Sequence, residues 1–379
     1  MTTVRKLSLE IESDTYPAIE RTLIDSVGNG EAPPTIMAWT FASDLFLELG
    51  PVEDASLIDR EQASNHGIAY GRRYNVSGGT GFFRDNCTPV LYAFFTDGGD
   101  RSMTEFIDLA GEAVASALRE AGVDNATYRD GGDIELIPEN GDQLLKIGVS
   151  GAGYQDGVWG VFANVINRSF EPKEFGIIDD VLRLPKEKFE DKDTDSAAGR
   201  MTSLEEEAPD VNLEAVLSSA AENLAGLVGD GIEDGSLTVA EREALEGHRE
   251  FYGSTEWFER YSTGRIIEEA NDDHEVAEVA YKARKLIKVS VRVDDAGTID
   301  AVQYTGDMYH RPGFDAIDRL NKAVTGVAID DDDALLKVIE DVYADPEIEI
   351  PWLTPMDFVR PLVRARESLV PASAFERDD

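Results

Sequence analysis

The feature that most constrains this chain is one long amphipathic helix set among strands. The segment MTEFIDLAGEAVASALREAGV, beginning at Met103, repeats apolar residues at helical spacing for about 20 residues and stops at Gly122. TPVLYAFF before it is apolar and β-rich and predicts a buried strand. NATYRD, DIELIPENGDQLLKIGV and VWGVFANVIN follow as strand candidates, and Asn140-Gly141 carries a hairpin-turn signal. Clustered strands, hairpins and separate helices, with no internal repeat, predict an α+β architecture.

Upstream, DTYPAIERTLIDSVGNG reads as a helix, TIMAWTF and DLFLELG as short strands, ASLIDREQASNHG as a second helix, and IAYGRRYNV as a strand running into SGGTGFFRD. Downstream, the charged stretch from Lys186 to Val211 reads as a mobile surface loop. VNLEAVLSSAAENLAGL and LTVAEREALEGHREFY read as helices, the latter opened by a Thr238–Glu241 capping box. The acidic stretch between about Thr263 and Val276 marks a boundary, dividing the chain into residues 1–262 and 276–370. The second part begins with a hairpin around Asp295-Ala296-Gly297 and continues with PGFDAIDRLNKAVTG, DDDALLKVIEDVYA and TPMDFVRPLVRARESL as helices.

Charge excludes some functions. With 76 acids against 35 bases the net charge is −41, so the mean field repels nucleic-acid backbones and anionic membranes. Only 11 of the bases are Lys, and this pattern reads as a halophilic protein whose surface is screened by concentrated salt. Cys87 is the one cysteine, so no internal disulfide can form. Neither a secretory h-region nor an apolar run of membrane-spanning length is present, and the expectation is a cytoplasmic protein.

Three groups of residues could carry chemistry. Ser77-Gly78-Gly79-Thr80-Gly81 is either an anion-holding nest of backbone N–H groups or a tight turn. Arg72 and Arg73 precede it, suited to bidentate phosphate or carboxylate binding or to ordinary pairing with the many acids. Lys146, the only lysine between Lys6 and Lys173, lies on an apolar strand just before Ser150-Gly151-Ala152-Gly153. It could stabilise negative charge on a reacting group, or simply protect a sheet edge. His66, His248, His274 and His310 are isolated, and no metal-ligand spacing is present.

Together these segments resemble the lipoate–protein ligase A family of the biotin/lipoate ligase superfamily. RRYNVSGGTGFFRD is similar to the family motif RRxSGGGAVxHD, and KIGVSGAG to KxSGxA. Gly132-Asp133-Ile134 stands where the family has Asn-Asp and an apolar residue; VLRLPKEKFEDK is similar to L-x-V-P-x-x-K-x-x-x-K and RMTSLEEE to R-V-T-S-L. VQYTGDMYHRPGFDAIDRLNKAVTG resembles the accessory domain. The resemblance implies a mixed or antiparallel sheet in a catalytic domain, with a small α+β accessory domain at the C-terminus. It implies ATP-dependent attachment of lipoate, through lipoyl-adenylate, to a lysine of lipoyl domains of 2-oxoacid dehydrogenase complexes or of the glycine-cleavage H protein. Magnesium is implied as well, with no ligand set identified. Lys146 would be catalytic; Arg72, Arg73, Ser77, Gly78, Gly79, Thr80, Asp133, Ser150, Gly151, Ala152 and Lys186 would hold acyl group and adenylate. The alternatives are transfer of octanoyl or another acyl group on the same fold, or a non-catalytic lipoyl-binding paralogue.

Both motifs depart from the family by two residues. The family lysine falls at Gly148 here, and the Arg pair at Tyr74 and Asn75. On a regular strand a two-residue shift keeps a side chain on the same face and moves it about 6.6 Å along, a distance of which a long Lys or Arg recovers much and a β-bulge more.

Overall fold

The protein is described by a computed structural model covering residues 2–42, 45–84, 87–129, 131–138, 144–189 and 201–375. Three sheets organise it. The largest has eight strands: β1 (Thr3–Ile11), β2 (Thr35–Phe41), β6 (Val90–Phe95), β7 (Ala126–Arg129), β8 (Asp133–Leu136), β9 (Leu145–Gln155), β10 (Val158–Asn164) and β11 (Gly231–Asp234), in the order β11-β1-β2-β6-β10-β9-β8-β7. Its β11-β1-β2 edge is parallel and the remainder antiparallel, so the sheet is mixed. A small sheet, β4 (Ala69–Arg72), β3 (Phe46–Leu49) and β5 (Gly81–Phe83), holds the two ends of the Ser77–Gly81 loop. The C-terminal region builds an antiparallel sheet from β12 (Glu275–Lys282), β13 (Leu286–Val293), β14 (Ile299–Gly306) and β15 (Val370–Pro371), in the order β14-β13-β12-β15.

The constraining helix forms over Met103–Glu120, opened by a reciprocal Ser102–Glu105 capping box. Phe106, Ile107, Ala110 and Val114 on its inner face join Ile134, Leu136, Ile147 and Val161 of the sheet in one core. Each large apolar side chain so buried contributes about 1.5–3 kcal/mol. The helix Tyr16–Gly28 covers the other face, packing Ile19 and Leu23 with Trp39 and Tyr92, which is why all six residues of β6 are buried. That second core continues without a break into the C-terminal region, through Tyr74, Trp257 and Phe314, to Ile317 and Phe358.

Several elements differ from the sequence expectation. ASLIDREQASNHG is two short helices, Ala55–Leu57 and Arg60–His66, because Asp54 and Asp59 each cap their own: Asp54 accepts from Ser56 N at 3.1 Å and Asp59 from Gln62 N at 3.0 Å. Strand β1 is not evident in the pattern, since Val4, Leu7 and Ile11 are its buried residues and their spacing does not alternate. The helix Pro172–Val181 and strands β11 and β12 were likewise not expected. The Asn140-Gly141 turn and residues 190–200 of the charged stretch lie outside the described residues.

Candidate active site

Lys146 reaches the site through a break in register. Asp133 pairs with Val149 and Ile134 with Gly148, but Glu135 then pairs with Lys146, leaving Ile147 as the extra residue of a β-bulge. In unbroken register Lys146 would oppose Leu136, whose side chain is buried against the helix Met103–Glu120. The bulge gives that side to Ile147 and turns Lys146 to the face of Asp133, where Nζ lies 2.7 Å from Asp133 Oδ1. Lys146 and Gly148 therefore lie on opposite faces, not on the same one as the regular-strand expectation has it. A Cβ on Gly148 would fall 2.3 Å from the Asn164 carbonyl oxygen, so position 148 has no room for a side chain. Arg129 Nη2 adds contacts of 3.2 Å to Asp133 and 2.8 Å to the buried Glu135.

The two glycine turns meet directly. Ser77 N donates to Ala152 O at 3.2 Å, and Gly151 turns toward Val76 and the Tyr309 hydroxyl. Ser150 faces away, its Oγ donating to Ile107 O at 2.9 Å, and Ala152 lies in the core. Gly78 has φ +106°, and a Cβ there would also sit 3.0 Å from the Tyr309 hydroxyl, so only glycine fits. Thr80 donates to Glu53 Oε2 at 2.7 Å.

Both arginines are buried and act inside the protein. Arg72 donates to the carbonyls of Gly50, Pro51, Glu53 and Phe258, and burial pulls it down to about 10. Arg73 underpins the loop, donating to the carbonyls of Val76, Gly78 and Gly79 at 2.7–3.2 Å while pairing with Glu48 at 3.2 Å. Beneath it lie Glu20, Glu48, Tyr92 and Asn75; burial pushes both carboxyls up, and the Asn75 carboxamide, wedged against Gly153 and Gly160, has no hydrogen-bond partner among the described residues.

The C-terminal region closes over the loop. Gly78 N donates to Met308 O at 3.1 Å, and Ser77 Oγ to His310 O at 3.5 Å. Lys188, which sequence reasoning missed, enters here: its ammonium lies 3.5 Å from Asp307 and 3.8 Å from Glu53, within 3.4 Å of where a Gly79 Cβ would be. Burial lowers Lys188, but Asp307 and Glu53 outweigh it and hold its pKa up. Lys186 is exposed on the same turn, Lys186–Phe189. The signal was present, because the P-x-x-K spacing in LPKEK selects Lys188 rather than Lys186.

Such a site can hold an anion between backbone N–H groups and ammonium ions and polarise a carbonyl or phosphoryl oxygen. The donor set does not form a magnesium site: Asp133 has its oxygens on Lys146 and Arg129, and no group of three or more His, Cys, Asp or Glu among the described residues is placed for a metal. No helix among the described residues is long and apolar enough to cross a membrane.

The family model for the lipoyl protein ligase A/B catalytic domain matches residues 15–225, more than half of the chain. The chain belongs to that family. Among solved structures, the ligase superfamily fold recurs in the bi-partite lipoate protein ligase of Thermoplasma acidophilum, solved with its E2 lipoyl domain (TM-score 0.55, 20 % identity, 69 % of this chain and 98 % of that one). It recurs in lipoate-protein ligase A bound with ATP (0.54, 18 %, 68 % and 99 %). P. falciparum LipL1 in complex with lipoate is similar over more of this ligase-family chain, 92 % against 95 % of its own, at 11 % identity and TM-score 0.63. At these identities the likeness is one of fold. No curated protein matches by sequence.

Proposed function

We propose that this member of the family is an ATP-dependent lipoate–protein ligase, with residues 276–370 as an accessory domain. In the first step a lipoate carboxylate oxygen attacks the α-phosphorus of ATP, the bond to the β-phosphate oxygen breaks, and pyrophosphate leaves. In the second, the amine of an acceptor lysine attacks the acyl carbon, AMP leaves, and the nitrogen loses a proton. The first step brings two anions together, so cations and N–H donors must offset their repulsion; the second needs a held, dry, polarised carbonyl.

The observation that supports this reading is the bulge at Ile147, which turns Lys146 out of the core to Asp133 and the face of Gly151. We assign Lys146 to the mixed anhydride, Ser77, Gly78, Gly79 and Gly151 to the acyl group and adenylate, and Lys188 in place of Lys186 to the adenylate side. Arg72, Arg73 and Thr80 shape the loop. Acceptors are lipoyl domains, as for the Thermoplasma ligase named with its E2 lipoyl domain. The acid surplus supports work in concentrated salt. Purified protein in high salt should exchange pyrophosphate into ATP only with lipoate or octanoate present; no exchange with any short acid removes the reading.

The buried polar set of Glu20, Glu48, Asn75 and Tyr92 supports a second reading, in which the acyl group carries a polar far end. Mass spectrometry of a lipoyl domain offered competing acids separates the two.

A further inference from the structure

Lysine is scarce in this chain, and several of its partly buried lysines meet acids. Lys146 faces Asp133, Lys188 faces Asp307 and Glu53, and Lys288 faces Asp54 and Glu278. Lys285 differs. It lies in the turn between β12 and β13, and among the described residues no carboxylate is within ion-pair distance of it. Its ammonium instead rests on two aromatic faces, 4.7 Å from the Tyr309 ring and 4.7 Å from the Trp352 ring, which stand edge to face 5.2 Å apart.

Tyr309 is also the residue whose hydroxyl covers Gly78 and approaches Gly151. Lys285 is thus carried by the C-terminal region to the junction of the two glycine turns. The charges of Asp307, Asp133 and Lys146 all act on it, and burial lowers its proton affinity. In a protein carrying 41 excess negative charges, a half-buried ammonium with no counter-ion among the described residues is costly unless an anion arrives to meet it.

We infer that Lys285 is a ligand for phosphate oxygens of the nucleotide, contributed across the interface by the C-terminal region, and that the phosphate site is incomplete without it. The aromatic pair fixes the ammonium before binding, so little side-chain freedom is lost when the anion docks. A charge-assisted N–H···O contact replaces water on the ammonium, and no proton need move. The inference rests on the proposed use of ATP.

The test is calorimetric titration of the full chain in high salt with inorganic pyrophosphate, AMP and ATP. Lys285→Met keeps the apolar stem over Tyr309 and Trp352 but removes the charge, and Lys285→Arg restores it. The Met variant should bind ATP at least about tenfold more weakly, with the Arg variant recovering most of the loss. Loss confined to pyrophosphate and ATP assigns Lys285 to the leaving phosphates; loss extending to AMP assigns it to the α-phosphate. Equal binding of all three by wild type and Met variant overturns the inference while leaving the ligase reading standing. If wild type binds none of them, the ATP-dependent reading itself falls. Should Lys285→Met not fold, Lys285→Gln serves as the neutral variant in the same titrations.

Discussion

Lys146 and Asp133 stand 2.7 Å apart on one face of the sheet because Ile147, between Lys146 and Gly148, is bulged out of the ladder. The side chain of Ile147 takes the core position that Lys146 would occupy in regular pairing, and chemistry and packing are sorted by one extra residue. Lys146→Ala should therefore lower pyrophosphate exchange by about 100-fold or more, as the loss of a group that stabilises developing charge does. Thermal unfolding should barely move, since Asp133 keeps Arg129. Deletion of Ile147 should lose both exchange and stability. A fully active Lys146→Ala would break the assignment.

The pair of Arg73 and Glu48 predicts an asymmetric mutational response. Arg73→Ala removes the support under Gly78 and Gly79 and leaves Glu48 buried without its cation, a loss of about 3–5 kcal/mol. Burial already pushes the Glu48 carboxyl well up, so Glu48→Gln should cost far less, and the double variant should be more stable than Arg73→Ala alone. Urea unfolding of the four proteins of this cycle gives the comparison. A double variant less stable than Arg73→Ala would contradict the buried-charge account.

Lys186 and Lys188 lie two residues apart, one outside and one inside. Lys188→Ala should depress exchange by about tenfold or more, and Lys186→Ala by less than about twofold, because a screened exposed charge acts weakly on a buried site. Parallel assays at one salt concentration check this. Equal effects would argue that the turn acts through charge alone.

Local pattern made much of this fold legible and left some of the site hidden, for one physical reason. The helix Met103–Glu120 and the flanking strands follow from periodicity, which is a property of neighbouring residues. The glycine turns and Lys146 were visible as residue types. A bulge was readable only as one way to recover the two-residue shift; its place at Ile147 was not, because register is decided by what Ile147 packs against. Nor could sequence tell that Arg72 and Arg73 spend their guanidinium groups on backbone carbonyls, since those partners lie far away or in a loop whose path is set by the same contacts. Strand β11 pairs with β1 across more than 200 residues, and its sequence, GIED, shows no strand pattern of its own.

His310 ties stability to pH at the junction of the two regions. Its Nδ1 is 2.6 Å from Gly313 O, to which the neutral ring donates, and its Nε2 is buried with no partner among the described residues. Burial lowers its pKa from the ordinary 6.5 to about 4. The folded protein thus keeps the ring neutral where the unfolded chain takes up a proton, and stability rises with pH across this window. The contribution is whole above about pH 6.5 and is lost as pH falls toward 4, amounting to about 3 kcal/mol at the lower end. Urea midpoints at pH 7.5 and 5.0 should differ more for wild type than for His310→Gln, which keeps a donor for Gly313 but cannot titrate. Because the His310 carbonyl receives Ser77 Oγ, the acid-weakened protein should also lose pyrophosphate exchange before it unfolds. Identical pH dependence of the urea midpoints in the two proteins would place the acid sensitivity elsewhere.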